Sequence, residues 1–213
     1  MTVTVLGASG RTGRRVVRLL VRHGFRVRAG VRDRHRRAAV TGLGVPAVIT
    51  DLAGDPAELV EAFAGSDVVV NCAGAPDPAP AAVNLIDRDG AIAAIRSAER
   101  AGVRRYVQLS AMFADAPDQG DPLVRSILAA KQISDTVLRR SSLVWTVVRA
   151  ATLTDEPGTG RITAVEHLTA GRIPRDDVAA VILGCLLEAG TENRGFDVRS
   201  GELAVAAALA ALR

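Results

Sequence analysis

Residues 3–32, VTVLGASGRTGRRVVRLLVRHGFRVRAGVR, decide how this chain folds. The β-branched run Val3, Thr4, Val5 and Leu6 stops at a glycine turn, and apolar residues then recur at Val16, Val17, Leu19, Leu20 and Val21. That order predicts strand, turn and helix. The turn is Gly7-Ala8-Ser9-Gly10-Arg11-Thr12-Gly13, a G-x-x-G-x-x-G spacing. Gly7 can take the backbone angles of a sharp exit from the strand. Gly10 lets a diphosphate approach main-chain N–H groups, and Gly13 lets the helix lie close on the sheet. The helix N-terminus adds unpaired donors and a positive dipole end. Between a strand and a helix, this spacing points to a dinucleotide site.

The next strand, Phe25 to Val31, ends at Arg32, with Asp33 beyond it. An NAD-specific fold usually carries Asp or Glu there, about 20 residues after the glycines, to hold the ribose hydroxyls. An arginine suits the 2′-phosphate of NADP, because a planar guanidinium binds phosphate with two hydrogen bonds. Arg11 could reach the same group. NADP(H) is therefore the preferred cofactor, with NAD(H) the alternative.

The chain has 213 residues, room for one sizeable core and not for two generous domains. A content of 48% hydrophobic and 23% charged residues is globular composition. The net charge of +4 comes largely from arginine, clustered only between Arg26 and Arg37. With 3% aromatic residues for stacking and no nucleic-acid motif, that cluster reads as a solvated face, and no nucleic-acid partner is expected. Cys72 and Cys185 are far apart in apolar surroundings, so neither a disulfide framework nor a metal site is expected. With no leader and no apolar run approaching about 18 residues, the expectation is a soluble cytoplasmic protein without membrane contact, monomeric or homodimeric.

Strand and helix patterns alternate through most of the chain. Helices are expected over Arg34 to Leu43, Asp55 to Ala64, Ala82 to Ala101 and Pro122 to Arg140. Strands are expected over Pro46 to Thr50, Asp67 to Asn71, Arg105 to Leu109 and Leu143 to Val148. The alternation predicts a Rossmann-type α/β fold, a doubly wound parallel sheet in a single domain. Beyond the sixth strand come an apolar helix, Asp176 to Ala189, a last strand, Gly195 to Val198, and a closing helix, Glu202 to Leu212. Residues 151–175 and 190–213 are expected to supply a small substrate-side lid and closing elements. Ligands in such sheets sit beyond the carboxyl ends of the strands. That directs attention to Asp51, Leu52, residues 71–74, Ser110 and the segment Arg149, Ala150 to Leu153.

GASGRTG at the start, VRAGVRD after the second strand, Asp51-Leu52, NCAG at 71–74, AGVRRYVQLSA at 101–111, AAKQISDTVLRRSSLVWTVVR at 129–149 and IPRDDVAAVIL at 173–183 carry a family resemblance. Over nearly its whole length the chain resembles the atypical short-chain dehydrogenase/reductases of the NAD(P)H-binding type. That group includes flavin and biliverdin reductases, sugar-epimerase-like proteins and redox-sensing regulators. The resemblance implies that Gly7, Ser9, Gly10, Arg11, Thr12 and Gly13 bind the diphosphate and Arg32 the adenosine phosphate. By the same resemblance Asp51 and Leu52 lie at the adenine and Ala73 and Gly74 on the ribose side; the strand-end reading puts the nicotinamide near Ser110, Lys131 and the segment Arg149, Ala150 to Leu153.

In catalytic members of the wider superfamily, a serine after the fifth strand orients a carbonyl, and a Tyr-x-x-x-Lys pair on the next helix supplies the proton and holds the ribose. Ser110 and Lys131 fit that pattern as candidate catalytic residues, but the position four before Lys131 is Ile127. Tyr106, the only tyrosine, lies about 13 Å below the catalytic end of its strand and is expected in packing. A proton must then come from water, from the substrate, from Ser110 through a relay, or from Asp115, Asp118 or Asp121. His23, His35 and His167 read as surface residues, and Asp87 as a capping or structural group. The sequence therefore points to an NADPH-dependent oxidoreductase delivering hydride to a small planar or carbonyl-bearing substrate. A non-turnover NADP(H) sensor, which Ile127 favours, is the alternative, and an NAD(P)-using epimerase-like isomerase ranks third.

Overall fold

Strand β1 (Thr2–Leu6) is buried along its whole length, as an unbroken β-branched and aliphatic run at the centre of a parallel sheet requires. The structure, a computed structural model, describes residues 1–212. After β1 come α1 (Arg11–Arg22), β2 (Arg26–Val31), a 3-10 turn at Arg34–Arg37 running into α2 (Ala38–Thr41), β3 (Ala47–Ile49), α3 (Pro56–Phe63) and β4 (Val68–Asn71). Next are α4 (Pro80–Val83), a π-helical stretch at Asn84–Gly90, α5 (Ala91–Arg100), β5 (Arg105–Ala111), two further 3-10 turns, α6 (Arg125–Arg139) and β6 (Val144–Ala150). The chain ends through β7 (Thr152–Thr154), β8 (Arg161–Val165), β9 (Arg172–Pro174), α7 (Arg175–Leu187), a 3-10 turn, β10 (Arg194–Ser200), β11 (Leu203–Ala204) and α8 (Val205–Ala210).

Nine strands form one sheet in the order β11-β8-β10-β6-β5-β4-β1-β2-β3. From β10 to β3 every pairing is parallel, the doubly wound arrangement expected from the alternating pattern. The order reverses at β1, between β2 and β4, which opens a crevice at the carboxyl ends of β1 and β4. One face of the sheet packs on α1 and α7, and the opposite face on α3, α5 and α6.

The last third departs from a purely parallel sheet. Strand β8 pairs antiparallel with β10, and β11 antiparallel with β8, so one edge is mixed. β7 and β9 form a separate two-stranded ribbon. These strands are two to five residues long, too short to carry a periodic pattern.

Two expected helices also differ. Arg34 to Leu43 yields one 3-10 turn and one α turn, because Asp33 caps the N–H of Arg36 at 3.0 Å and four consecutive basic side chains follow. The stretch Ala82 to Ala101 is interrupted by seven residues of π-helix, whose wider turn faces Asp87 into the protein. By contrast α3 starts where its sequence requires, with Asp55 accepting from the N–H of Ala57 at 2.8 Å and Pro56 at the first position. Among the described residues no helix is long and apolar enough to cross a membrane.

Candidate cofactor and reaction site

A cavity of about 560 Å³ occupies the crevice at the switch point. Gly7, Ser9, Gly10, Arg11 and Thr12 form one wall, Arg32, Asp51 and Leu52 the end beyond β2 and β3, and Ala73 and Gly74 the opposite side. Ten of the expected cofactor residues are thus brought together from four separate segments. Gly13 stands behind the wall: a Cβ there would lie 2.2 Å from the Gly7 carbonyl oxygen, so only glycine lets α1 start this close to the turn. Gly7 has φ +69°, and its own Cβ would come within 2.8 Å of Ala73. The two strand ends flanking the crevice touch because that residue has no side chain.

Within the turn, the Ala8 and Gly10 N–H groups donate to the Gly30 and Gly7 carbonyls at 3.0 and 2.9 Å. No side chain caps α1, in contrast to α3, and the start of the helix, Gly10 to Thr12, lines the cavity. Arginines reinforce the positive end. Besides Arg11 and Arg32, the sequence reading missed Arg14, Arg36 and Arg175, all of which line the cavity. Arg14 lies one helical turn after Arg11 on α1, a spacing that was readable; Arg36 comes from the 3-10 turn after β2, and Arg175 from the start of α7. A glycine cradle with an uncapped helix start, ringed by guanidinium groups, fits the diphosphate of a dinucleotide.

Asp155, just after β7, pairs with Arg11 at 2.7 Å and with Arg175 at 3.0 Å. It ties the segment after β7 to the glycine turn. Cys72 also lines the cavity, and burial pushes its thiol up to about 12.

Ser110, Lys131, Arg149 and Ala150 do not line this cavity. Lys131 lies under the π-helical stretch, 3.1 Å from Asp87, and also approaches the Leu109 carbonyl oxygen at 3.4 Å. Asp87 in turn accepts from the N–H of Ala75 at 2.9 Å, so the lysine is anchored to the loop bordering the cavity. Asp87 is structural, as expected, but as half of an ion pair rather than as a cap.

Ser110 donates to Asp135 at 2.5 Å, and Asp135 is 3% exposed. Burial pushes the Asp135 carboxyl above its usual range, while the Ser110 bond, Lys131 and Gln108 pull the other way. Asp135 escaped the sequence reading. Its signal was position: Leu128, Lys131, Asp135 and Leu138 recur at helical spacing on the inward face of α6, where two charged residues replace apolar ones.

Arg149 corrects an expectation. Its side chain is 2% exposed and turns away from the groove, 2.5 Å from Asp197 and 3.5 Å from Asp115, and donates to the Glu166 carbonyl at 2.5 Å. The reason is register: Asp197 is the β10 partner of Arg149, so the strand-end cation meets a carboxylate in its own buried layer. Asp115 also pairs with His167 at 3.1 Å. Tyr106 is fully buried in the core, as expected, with its hydroxyl unpartnered among the described residues.

The NAD(P)H-binding family model matches residues 7–189, and the chain belongs to that family. It is 36% identical over 98% of its length to the uncharacterized sugar epimerase YhfK of Bacillus subtilis, covering 99% of that protein. It is 34% identical over 94% of its length to the (4-alkanoyl-5-oxo-2,5-dihydrofuran-3-yl)methyl phosphate reductase of Streptomyces griseus, spanning 68% of that enzyme. A solved structure from Bacillus halodurans, described provisionally as an NAD-dependent epimerase/dehydratase, superposes with a TM-score of 0.92 at 34% identity, over 99% of both chains. These relatives thus include one named as a reductase and two named as epimerases or epimerase/dehydratases.

Proposed function

We propose that this protein is an NADPH-dependent reductase that transfers hydride to a small planar or carbonyl-bearing acceptor. The observation that carries the reading is the arginine-ringed glycine cradle, in which Arg32 and Arg36 stand where an adenosine 2′-phosphate would lie. An acidic residue would be needed there to favour the unphosphorylated cofactor, and Asp33 instead accepts from Arg32 at 3.2 Å. When bound, the dihydronicotinamide supplies the hydride. Gly7, Ser9, Gly10, Arg11, Thr12 and Gly13 hold and shape the diphosphate site, Asp51 and Leu52 flank the adenine, and Ala73 and Gly74 the ribose. Lys131, anchored by Asp87, holds the nicotinamide ribose side. Leu153 and Arg175 belong to a lid from residues 151–175 that closes over the substrate.

The reductase among the relatives supports hydride chemistry over a binding role alone. Flavins, quinones and conjugated carbonyls are the acceptors to test first, because their reduction depends less on a fixed acid than that of simple ketones. Stopped-flow loss of nicotinamide absorbance with these panels, using NADPH and NADH in parallel, tests the reading. Oxidation of NADPH faster than NADH with at least one acceptor is expected. Tight NADPH binding with no oxidation by any acceptor would favour the alternative, a redox sensor. That second reading has one observation behind it: Ile127 occupies the place of the usual acid.

A further inference from the structure

Asp135 is a buried carboxyl that the ribose-holding and phosphate-binding groups leave unused, and its neighbours fix which of its oxygens can carry a proton. The Ala73 N–H, at the cavity wall, donates to the Asn71 side-chain oxygen at 3.0 Å. That orients the Asn71 amide so that its NH₂ group donates to the Gln108 side-chain oxygen at 3.1 Å. The Gln108 amide is thereby oriented too, and its own NH₂ group donates to Asp135 Oδ1 and to Ser134 Oγ, each at 3.1 Å. Oδ1 is therefore an acceptor only. Oδ2 lies 2.5 Å from Ser110 Oγ and is the oxygen with a partner able to accept a carboxyl proton: Ser110 donates to it when the carboxyl is ionised, and the bond reverses when Oδ2 is protonated.

We propose that Asp135 is the proton reservoir of this site and delivers its proton from Oδ2 through the Ser110 hydroxyl to the substrate. The proposal rests on the reductase reading above. As hydride adds to the substrate carbon, the displaced π pair passes to the attached oxygen or nitrogen. That atom takes the Ser110 hydroxyl proton, forming its new O–H or N–H bond as the Oγ–H bond breaks. Ser110 Oγ takes the proton from Oδ2, leaving Asp135 ionised. Water returns a proton by the same route after product leaves.

Geometry puts Ser110 at the carboxyl edge of the sheet, where ligands of such folds sit. Ser110 is the last polar side chain of β5, one residue before the strand ends, and is 4% exposed, so it meets only what is pressed against it. The charged groups acting on Asp135 are Lys131 and Arg139 on its own helix. Lys131 is already paired with Asp87 from the π-helical stretch, and Arg149, in register with Ser110, is paired with Asp197. Lys131 and Arg149 are thus engaged elsewhere, Arg139 sits over the Trp145 ring at 5.9 Å, and burial favours the neutral form of Asp135. Asp135 acts through Ser110 and is a positioning and proton-supplying residue rather than one that touches substrate.

Two readouts test this. Infrared spectra of the wild type and of Asp135→Asn between about pH 4 and about pH 8 report a protonated carboxyl. A protonated-carboxyl band that persists above the usual carboxylate range in the wild type and is missing from the variant is expected. A wild type with every carboxyl ionised above that range would overturn the proposal. In single-turnover reduction, Asp135→Asn should slow the reaction by about 100-fold and abolish the fall in rate as pH rises, with NADPH affinity unchanged. Ser110→Ala, which removes one hydroxyl, should match it, and the double variant should be no slower than either. An unchanged rate and pH profile in Asp135→Asn overturns the proposal, and if that variant does not fold, Ser110→Ala alone carries the kinetic test. If no acceptor is reduced by the wild type, the reductase reading fails on its own, and the infrared band then decides whether Asp135 holds the proton.

Discussion

Replacing Gly10 with alanine adds a single methyl group at the mouth of the phosphate cradle and separates the ligand's requirement from the fold's. Gly10 has φ −76° and ψ 167°, extended backbone that alanine adopts freely. The nearest atom to the added Cβ is the Gly7 carbonyl oxygen at 3.1 Å, a contact relieved by a shift of a few tenths of an ångström. Loss of unfolded-state entropy returns about 0.4–1 kcal/mol, so stability should change by no more than about 1 kcal/mol and Tm by no more than about 4 °C. Binding is another matter. If the methyl holds the diphosphate off two N–H groups at the start of α1, two charge-assisted hydrogen bonds worth about 1.5–3 kcal/mol each are lost. Even the lower bound, about 3 kcal/mol, is a loss of about 100-fold in affinity. Calorimetric titration of NADPH into wild type and Gly10→Ala, with thermal melts alongside, reads both terms. A variant that melts normally and binds NADPH as tightly as the wild type would refute the reasoning. Gly13→Ala is the contrast: its Cβ would sit 2.2 Å from the Gly7 oxygen, so stability and binding should fall together.

Other perturbations follow from the same geometry. Arg32→Ala should weaken NADPH by about 10-fold or more and leave NADH unchanged, since the lost bond is to the 2′-phosphate; competitive titrations of the two cofactors check this. Lys131→Met strands the buried Asp87 carboxylate and should cost about 3 kcal/mol in urea unfolding, with Asp87→Asn in the same chain recovering part of it. Arg149→Met leaves Asp197 uncompensated beneath the β8–β9 connection and should destabilise by about 3–5 kcal/mol in the same assay, without weakening NADPH binding.

The glycine turn was legible because each glycine answers a local demand on backbone angle or clearance, and local demands are written in consecutive residues. The parallel sheet was legible for a similar reason, since strands buried on both faces read as unbroken apolar runs such as Val68 to Val70. The π-helical stretch was not, because its residues keep the composition and spacing of an α-helix, and the turn widens where Asp87 meets Lys131 from another element. Arg149 shows the same limit. Its position at a strand end says groove, yet Asp197, 48 residues further on, decides where the guanidinium goes. Asp135 was half legible: a charge on an apolar helix face signals a buried partner without naming Ser110. β8 and β11 escaped because short edge strands derive their order from β10 rather than from their own sequence.

A crystal structure of the protein grown with NADP⁺ tests the central claim most directly. The account predicts the diphosphate against the first N–H groups of α1, beside Gly10 and Arg11, and the 2′-phosphate against Arg32. A cavity left empty by saturating NADP⁺, or a dinucleotide bound elsewhere on the sheet, would contradict it.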